Sequence, residues 1–262
     1  MGKEVVGITG ASGFIGRNLV RKLEQNGFNV RIINRMGSLS NQVEGCISII
    51  HLASINNSTD TNVEEVNVGY TQNLVDVLPQ DCFLVFTSSF AVYKIPVKGD
   101  VISENYPTDP RNLYGKTKLK AEQVIDESGL DAWILRLSNV YGSGMPPFKH
   151  SVVSTFEELI RQNRELTIDG DGSQTRDFVH VDDVVSAIIA CLKHKPQGTQ
   201  SINICSGIDT SLNDLVKKIE LKLNKSSRVK YNETADMTTA GFWKGDWSRA
   251  MKLFGWEPSI FI

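Results

Sequence analysis

Thr9-Gly10-Ala11-Ser12-Gly13-Phe14-Ile15-Gly16 decides the reading of this chain. It follows the apolar run Val5-Val6-Gly7-Ile8 and leads without a break into an amphipathic stretch over residues 14–25. Glycines spaced by three between a strand and a helix let the backbone approach an anion. The helix start adds amide donors and the positive end of a dipole. A plain strand-to-helix turn has no need of the third glycine. The turn is therefore expected to cradle a dinucleotide pyrophosphate, with Gly10, Ser12, Gly13, Phe14, Ile15 and Gly16 around it.

Outward from the turn, residues 4–9, 29–34, 47–52, 83–88 and 132–137 read as strands, and 14–25, 63–77 and 113–127 as the helices between them. This alternation is that of a parallel sheet wrapped by helices. Past residue 140 the elements shorten: helices near 152–162, 182–192, 212–223 and 248–254, with strands near 178–181 and 202–204. The expected fold is α/β, a doubly wound parallel Rossmann sheet with a small C-terminal α/β substrate lobe. Residues 1–142 form the dinucleotide-binding domain, and 143–262 mainly the lobe, with segments returning to the first domain. One connection, residues 35–46, is short. A parallel crossover needs roughly a dozen residues, so two crossovers and a strand do not fit. The usual third strand of the order 3-2-1-4-5-6 is expected to be missing. That leaves strand two at the sheet edge and removes part of the adenine wall.

The 262 residues, 40% hydrophobic and 22% charged, suit an ordinary globular protein. A net charge of −2 offers no basic field to nucleic acid or an anionic membrane, so a phosphate site must be built locally. Met1-Gly2-Lys3-Glu4 runs straight into the first strand with no leader pattern, and no apolar run approaches the roughly 18 residues of a membrane span. A cytoplasmic location is expected. Cys46, Cys82, Cys191 and Cys205 lack metal or redox spacing and read as small buried hydrophobes; the four histidines share no ligand spacing, and no metal is expected.

Tyr114-Gly115-Lys116-Thr117-Lys118 is Y-x-x-x-K at a helix start, a spacing that puts both side chains on one face. Alone, such a pair usually decorates a solvated surface. A lysine ammonium beside a phenol lowers the phenol's pKa, so Tyr114 is expected to exchange a proton near neutrality. The strand before it ends in the hydroxyls of Thr87-Ser88-Ser89, followed by Phe90-Ala91-Val92-Tyr93. After a dinucleotide turn, this combination reads as catalytic.

The turn resembles the T-G-x-x-G-F-x-G of the extended short-chain dehydrogenase/reductases, in the sugar-nucleotide-modifying NAD-dependent epimerase/dehydratase family. The resemblance runs along nearly the whole chain. His51-Leu52-Ala53 is similar to the family's H-L-A, and Asn67-Val68 with Thr71 and Asn73-Leu74 to its N-V-x-G-T-x-N-L. Arg136-Leu137-Ser138-Asn139-Val140-Tyr141-Gly142 is similar to R-x-x-N-V-Y-G. The run from Asp169 to Asp183 resembles the substrate-lobe signature, and Leu253-Phe254-Gly255-Trp256-Glu257-Pro258 resembles L-G-W-x-P. The resemblance implies that Leu52, Ala53, Ser54, Asn67, Thr87 and Ser88 border the cofactor. Ser89 would bond the reacting oxygen while Tyr114 moves its proton, and Lys118 would also hold the nicotinamide ribose. Ser89 and Phe90 would meet the substrate, and Asn139 and Arg176 its diphosphate. Pairing with Asp177 or Asp183 is the other reading of Arg176.

The chain also departs from the pattern. Tyr70 stands where the family has glycine. Lys94 replaces the glycine after Tyr93 and either reaches the substrate or is solvated. Phe90 and Ala91 occupy the positions of the dehydratases' Asp-Glu pair, which disfavours dehydration. A second arginine, in R-P-G-D, is missing; the nearest match is Glu233-Thr234-Ala235-Asp236, with Lys244 as a substitute.

Past strand two the chain reads Ile33-Asn34-Arg35-Met36-Gly37-Ser38, where NAD-binding relatives carry a carboxylate for the ribose 2′-hydroxyl. Asn34, Arg35 and Ser38 point instead to a 2′-phosphate, hence NADP, with NAD as the alternative. The expected reaction is NADPH-dependent reduction of a nucleotide-activated 4-keto-6-deoxysugar to the deoxyhexose, for surface polysaccharide. A sugar-nucleotide C-4 epimerase with bound NAD is the alternative. A non-catalytic NADP sensor is a third reading, although a sensor has no need of Ser89, Tyr114 and Lys118. The resemblance leaves open a homodimer through the Tyr114 helix.

Overall fold

The computed structural model describes residues 4–56, 60–148, 151–234 and 240–262; Met1, Gly2 and Lys3, and Ala235 and Asp236 of the R-P-G-D position, lie outside the described residues. Its strands are β1 (Val5–Thr9), β2 (Asn29–Ile33), β3 (Cys46–His51), β4 (Phe83–Ser89), β5 (Ala132–Leu137), β6 (Asn139–Tyr141), β7 (Leu166–Asp169), β8 (Thr175–His180), β9 (Thr199–Ile204), β10 (Asp209–Ser211) and β11 (Val229–Asn232). Its helices are α1 (Phe14–Gln25), α2 (Leu39–Val43), α3 (Tyr70–Val75), α4 (Leu113–Glu127), α5 (Val152–Arg161), α6 (Val181–Leu192), α7 (Leu212–Leu223) and α8 (Ser248–Phe254).

The main sheet runs β2-β1-β3-β4-β5-β9, with every pairing parallel. Its inner strands are apolar on both sides because helices cover both faces. Val6, Ile8, Val85, Leu135 and Ile202 pack with Leu19 and Leu23 of α1, Val184 and Ile188 of α6 and Ala250 of α8. Ile49, Leu84, Phe86 and Ile134 pack with Val43 of α2, Leu74 of α3, and Ala121 and Ile125 of α4. A separate cluster joins Phe156 and Ile160 of α5, Leu166 and Ile168 of β7, and Leu215 and Ile219 of α7. Beside it lie the small sheets β10-β8-β6 and β11-β7. Thus β9, α6 and α8 return to the main sheet, while α5, α7, β7 and β11 stand apart. No helix among the described residues is long and apolar enough to cross a membrane.

β2 is an edge strand, and residues 34–45 carry only α2 between it and β3. Side-chain bonds close this short link. Gln42 accepts from the Asn34 amide at 2.8 Å and donates to the carbonyls of Asn34 and Met36, each at 3.2 Å. Ser38 caps α2 by accepting from the Asn41 amide. The helix expected over 63–77 differs in its first half. Residues Glu65–Gly69 form a wider π turn before α3, and Asn67 is buried there. Such turns interrupt α-helices chiefly near functional sites.

Candidate active site

Three contiguous clefts follow the carboxyl ends of the main strands. The middle one, about 340 Å³, lies between the glycine turn and the ends of β4 and β5, with Tyr114 and Lys118 of α4 in its wall. A second, about 680 Å³, runs from the turn to the end of β2. The third, about 270 Å³, extends from Ser89 and Tyr114 to Arg176 and Trp243.

The three glycines of the turn do different work. Gly10 has φ +69°, and a Cβ there would meet the Ala53 amide nitrogen at 2.6 Å, so turn and β3 loop touch backbone to backbone. A Cβ on Gly16 would strike Ala11 at 2.7 Å. At Gly13 the nearest neighbour would be Gly10 O at 3.2 Å, and its open side faces the middle cleft. Gly13 starts α1 with no side-chain cap and no acidic residue in the first turn. The first amides of α1 therefore address the cleft with their dipole unopposed. These residues fit a dinucleotide pyrophosphate: Cβ-free backbone, open amides, and a groove leading both ways.

At the junction of the middle and third clefts stand Ser89 and Tyr114, with Lys118 beside them in the wall of the middle cleft. Asn112 starts α4 by accepting from the Gly115 amide at 2.7 Å, which presents Tyr114 on the first turn. Ser89 ends β4 and accepts from the Ala91 amide at 3.2 Å, turning the chain at Phe90–Val92. The expected effect of Lys118 on the phenol is corrected by the structure. Burial pushes Tyr114 up to about 12, and the Ser89 and Ser54 hydroxyls pull it only partly back. The Lys118 ammonium lies 6.0 Å from the Tyr114 ring centroid, donates to Thr87 O at 2.8 Å and sits over Phe86 at 4.6 Å. Burial lowers Lys118 to about 7, against the pull of Glu122.

A buried polar network underlies these groups. Ser88 lines the middle cleft and its hydroxyl donates to the Glu122 carboxylate. Glu122, one turn past Lys118, takes a forked pair of bonds from Arg136, the shorter at 2.6 Å. Arg136 also donates to the Tyr93 hydroxyl at 3.1 Å, which in turn donates to Asn203 Oδ1 at 2.7 Å. β4, α4, β5 and β9 are thereby tied beneath the site. The sequence offers no local signal of this network.

His51 pins the other end. Thr71 donates to Asn67 O at 2.8 Å, so its oxygen accepts from His51 Nε2 at 3.0 Å. Nδ1 is then the acceptor for the Thr9 hydroxyl at 2.6 Å, while Thr9 Oγ1 accepts from the Ala53 amide. Neutral imidazole completes this chain, and burial holds His51 down to about 3 against an ordinary 6.5. The unfolded chain therefore takes up a proton below pH 6.5 that the fold refuses until about pH 3. Stability from this residue is full above pH 6.5 and declines by about 1.4 kcal/mol per pH unit as pH falls. Urea midpoints measured from pH 7 to 4 should show a flatter decline in His51→Gln than in the parent chain; parallel curves would refute this role.

At the third cleft, Arg176 bonds the carbonyls of Thr175 and Ala240, and burial lowers it to about 10. It forms no ion pair among the described residues. Asp177 is buried and serves Ser138, Ser206, Gly207 and Gly245, and Asp183 serves Ser259 and Ile260. Arg176 and Asn139 line the cleft. Lys244 instead reaches Asp209 at 3.7 Å, and Lys94 is exposed.

Of the residues singled out from sequence, Gly10, Gly13, Phe14, Ile15, Gly16, Leu52, Ser54, Thr87, Ser88, Ser89, Tyr114, Lys118 and Asn139 line the middle cleft. Ser12, Asn34, Arg35 and Ala53 line the second, and Phe90 and Arg176 the third. Two do not reach the groove. Ser38 caps α2, and Asn67 is buried, bonding Ser54, both backbone groups of Ile55, and Thr117. Asn67 thus shapes the cleft wall at one remove. Trp243 and Arg111 line the third cleft and Tyr70 the second without having been assigned to a site. Arg17, Arg21 and Glu24 also line the second, so one carboxylate does stand at that end, beside three guanidiniums.

Comparison with known proteins follows this geometry. The model of the NAD dependent epimerase/dehydratase family matches residues 6–205. A putative UDP-glucose 4-epimerase from Methanocaldococcus jannaschii is 30% identical, over 97% of this chain and 93% of its own length. The UDP-glucose 4-epimerase of Mycolicibacterium smegmatis is 28% identical, over 97% and 94%. Among solved structures, MoeE5 in complex with UDP-glucuronic acid and NAD superposes with a TM-score of 0.87 at 26% identity, covering 99% of this chain and 95% of that one.

Proposed function

From the chain's membership, since it belongs to the NAD-dependent epimerase/dehydratase family, we propose that it interconverts the C-4 epimers of a nucleotide-activated sugar. The observation that carries this reading is the poverty of the groove in proton-handling groups. Among the described residues, no carboxylate, imidazole or thiol lines the middle or third cleft. Such a site suits oxidation and re-reduction at one carbon and gives elimination no acid–base pair. The dinucleotide, when bound, supplies a hydride acceptor and donor. Tyr114 would first give up its own proton under the positive charge that an oxidised nicotinamide brings. As its phenolate it would take the C-4 hydroxyl proton, and would return it to the same oxygen when that carbon is reduced. Ser89 bonds the same oxygen throughout. Lys118 holds Thr87 and places a cation beneath the phenol. Asn139 and Arg176 hold the diphosphate, leaving the sugar to turn between deliveries.

Reduction of a 4-keto-6-deoxysugar uses half of this cycle. The relatives, being 4-epimerases, favour the full cycle. Incubation with UDP-glucose, UDP-glucuronate or a dTDP-hexose plus dinucleotide should give the C-4 epimer with no net change in reduced-nicotinamide absorbance. Stoichiometric NADPH consumption with a 4-keto sugar, and no epimer, would establish the reductase instead.

The arginines at the end of β2 and on α1 support a preference for the 2′-phosphorylated dinucleotide. Arg35→Ala should weaken NADPH binding by roughly ten- to a hundredfold more than it weakens NADH, the worth of a charge-assisted bond of about 1.5–3 kcal/mol to the 2′-phosphate. Equal losses for both dinucleotides would place Arg35 elsewhere than at the 2′ position.

A further inference from the structure

Among the described residues, the adenosine end of the groove has no neighbour strand beyond β2. Tyr70 stands at this end, in the wall of the second cleft. Its hydroxyl is buried without a partner among the described residues, so the cleft meets the ring and not the oxygen. The ring packs edge-on against His51 at 5.6 Å between centroids. His51 is itself fixed between Thr9 and Thr71. Tyr70 is thus held from behind. Across the cleft, Arg35 comes from the end of β2 with its guanidinium carbon 5.9 Å from the ring centroid. Leu52 and Ala53 close the apolar floor.

A rigid aromatic ring beside an exposed guanidinium is a seat for a flat, electron-rich heterocycle. Two stacking distances need about 7 Å. The exposed Arg35 side chain would therefore swing outward to admit the base against Tyr70 and cover its other face as a planar cation. We propose that Tyr70 is the adenine-binding surface of this chain, with Arg35 opposite, replacing the wall lost with the absent strand. The proposal rests on the dinucleotide reading of the groove and is indifferent to the 2′-phosphate, since adenine is common to both cofactors. It also gives a use to Tyr70, whose bulk would otherwise narrow a cleft that a glycine leaves open.

The test separates the two ends of the dinucleotide. ADP-ribose and nicotinamide mononucleotide are titrated calorimetrically into the parent chain, Tyr70→Leu and Tyr70→Phe, and NADPH is followed by fluorescence. Tyr70→Leu fills similar apolar volume but has no π face. It should weaken ADP-ribose and NADPH about tenfold or more, as loss of one base–aromatic stack does, and leave the mononucleotide unchanged. Tyr70→Phe should restore the parent affinity, because the hydroxyl does not reach the cleft. Should Tyr70→Leu not fold, the parent chain still decides. The tyrosine proton signal that Tyr70→Phe removes should show a ring-current shift with ADP-ribose and none with the mononucleotide. Undiminished ADP-ribose affinity in Tyr70→Leu, or no shift of that signal, overturns the adenine seat while parent binding of NADPH keeps the groove reading. A parent chain that binds neither NADPH nor NADH overturns both.

Discussion

Tyr114→Phe should lower turnover by about 10²–10⁴-fold while dinucleotide affinity stays nearly unchanged. Phenylalanine keeps the ring, its packing on α4 and the start of that helix, and removes only the hydroxyl. Among the described residues lining the middle and third clefts, the other groups able to exchange a proton are Lys118, the serine and threonine hydroxyls, and Tyr93, whose hydroxyl is bonded to Asn203 and Arg136. Ser89 is the weaker acid, and Lys118 is directed to Thr87 O. Burial holds the phenol near 12 and Lys118 near 7, so at neutral pH the resting site keeps its proton on Tyr114. Steady-state kinetics on the variant, with a dinucleotide titration beside it, checks both halves. Near-normal turnover would remove Tyr114 from the chemistry.

Glu122→Leu should destabilise the fold by about 3–5 kcal/mol, the usual consequence of leaving one partner of a buried ion pair alone. Arg136 and Glu122 are 7% and 5% exposed, and their contact is forked at 2.6 to 3.2 Å. The variant would leave the guanidinium with Tyr93 and the Glu104 carbonyl only, and the Ser88 hydroxyl without its acceptor. Adding Arg136→Met removes the orphaned charge, so the double variant should be more stable than Glu122→Leu alone. Urea midpoints for the four chains of this cycle give the coupling directly. Additive losses would mean that the two side chains act independently.

Much of the frame was legible in the sequence because strong periodicity and clear stop signals coincide. α1, α4, α7 and α8 keep the bounds expected from the apolar spacing. The missing third strand was legible from counting alone, since the connection read over residues 35–46 has no room for it. The short strands of the lobe were not: Asp209-Thr210-Ser211 has no apolar alternation, and β10 exists because β8 offers it an edge. The groove residues were legible as motifs, and the structure brings Ser89, Tyr114 and Lys118 together in the middle cleft. Their ionisation was not, because spacing says which side chains share a helix face and nothing about how much water reaches them. Burial outweighs the lysine at Tyr114. Ser88 shows the same limit: it lines the middle cleft, yet the direction of its hydroxyl was not legible. Its hydroxyl faces Glu122, a residue far along the chain that only the β4–α4 contact brings near.

The short link after β2 also bears on how the chain closes upon itself. In the unfolded state β1 and β3 are joined through residues 10–45, and β5 and β9 through residues 138–198. Losing a strand and a helix from the first loop saves little equilibrium entropy, since each doubling of a flexible loop adds only about 0.6 kcal/mol. Rates respond more strongly to sequence separation, and near contacts form sooner. Chain-closure entropy therefore favours an order in which the β2-β1-β3 half, with its glycine turn, assembles first. On that order β9, which pairs over the longer separation and carries Asn203 to Tyr93, would close last, and the buried network under Ser89 would lock with it.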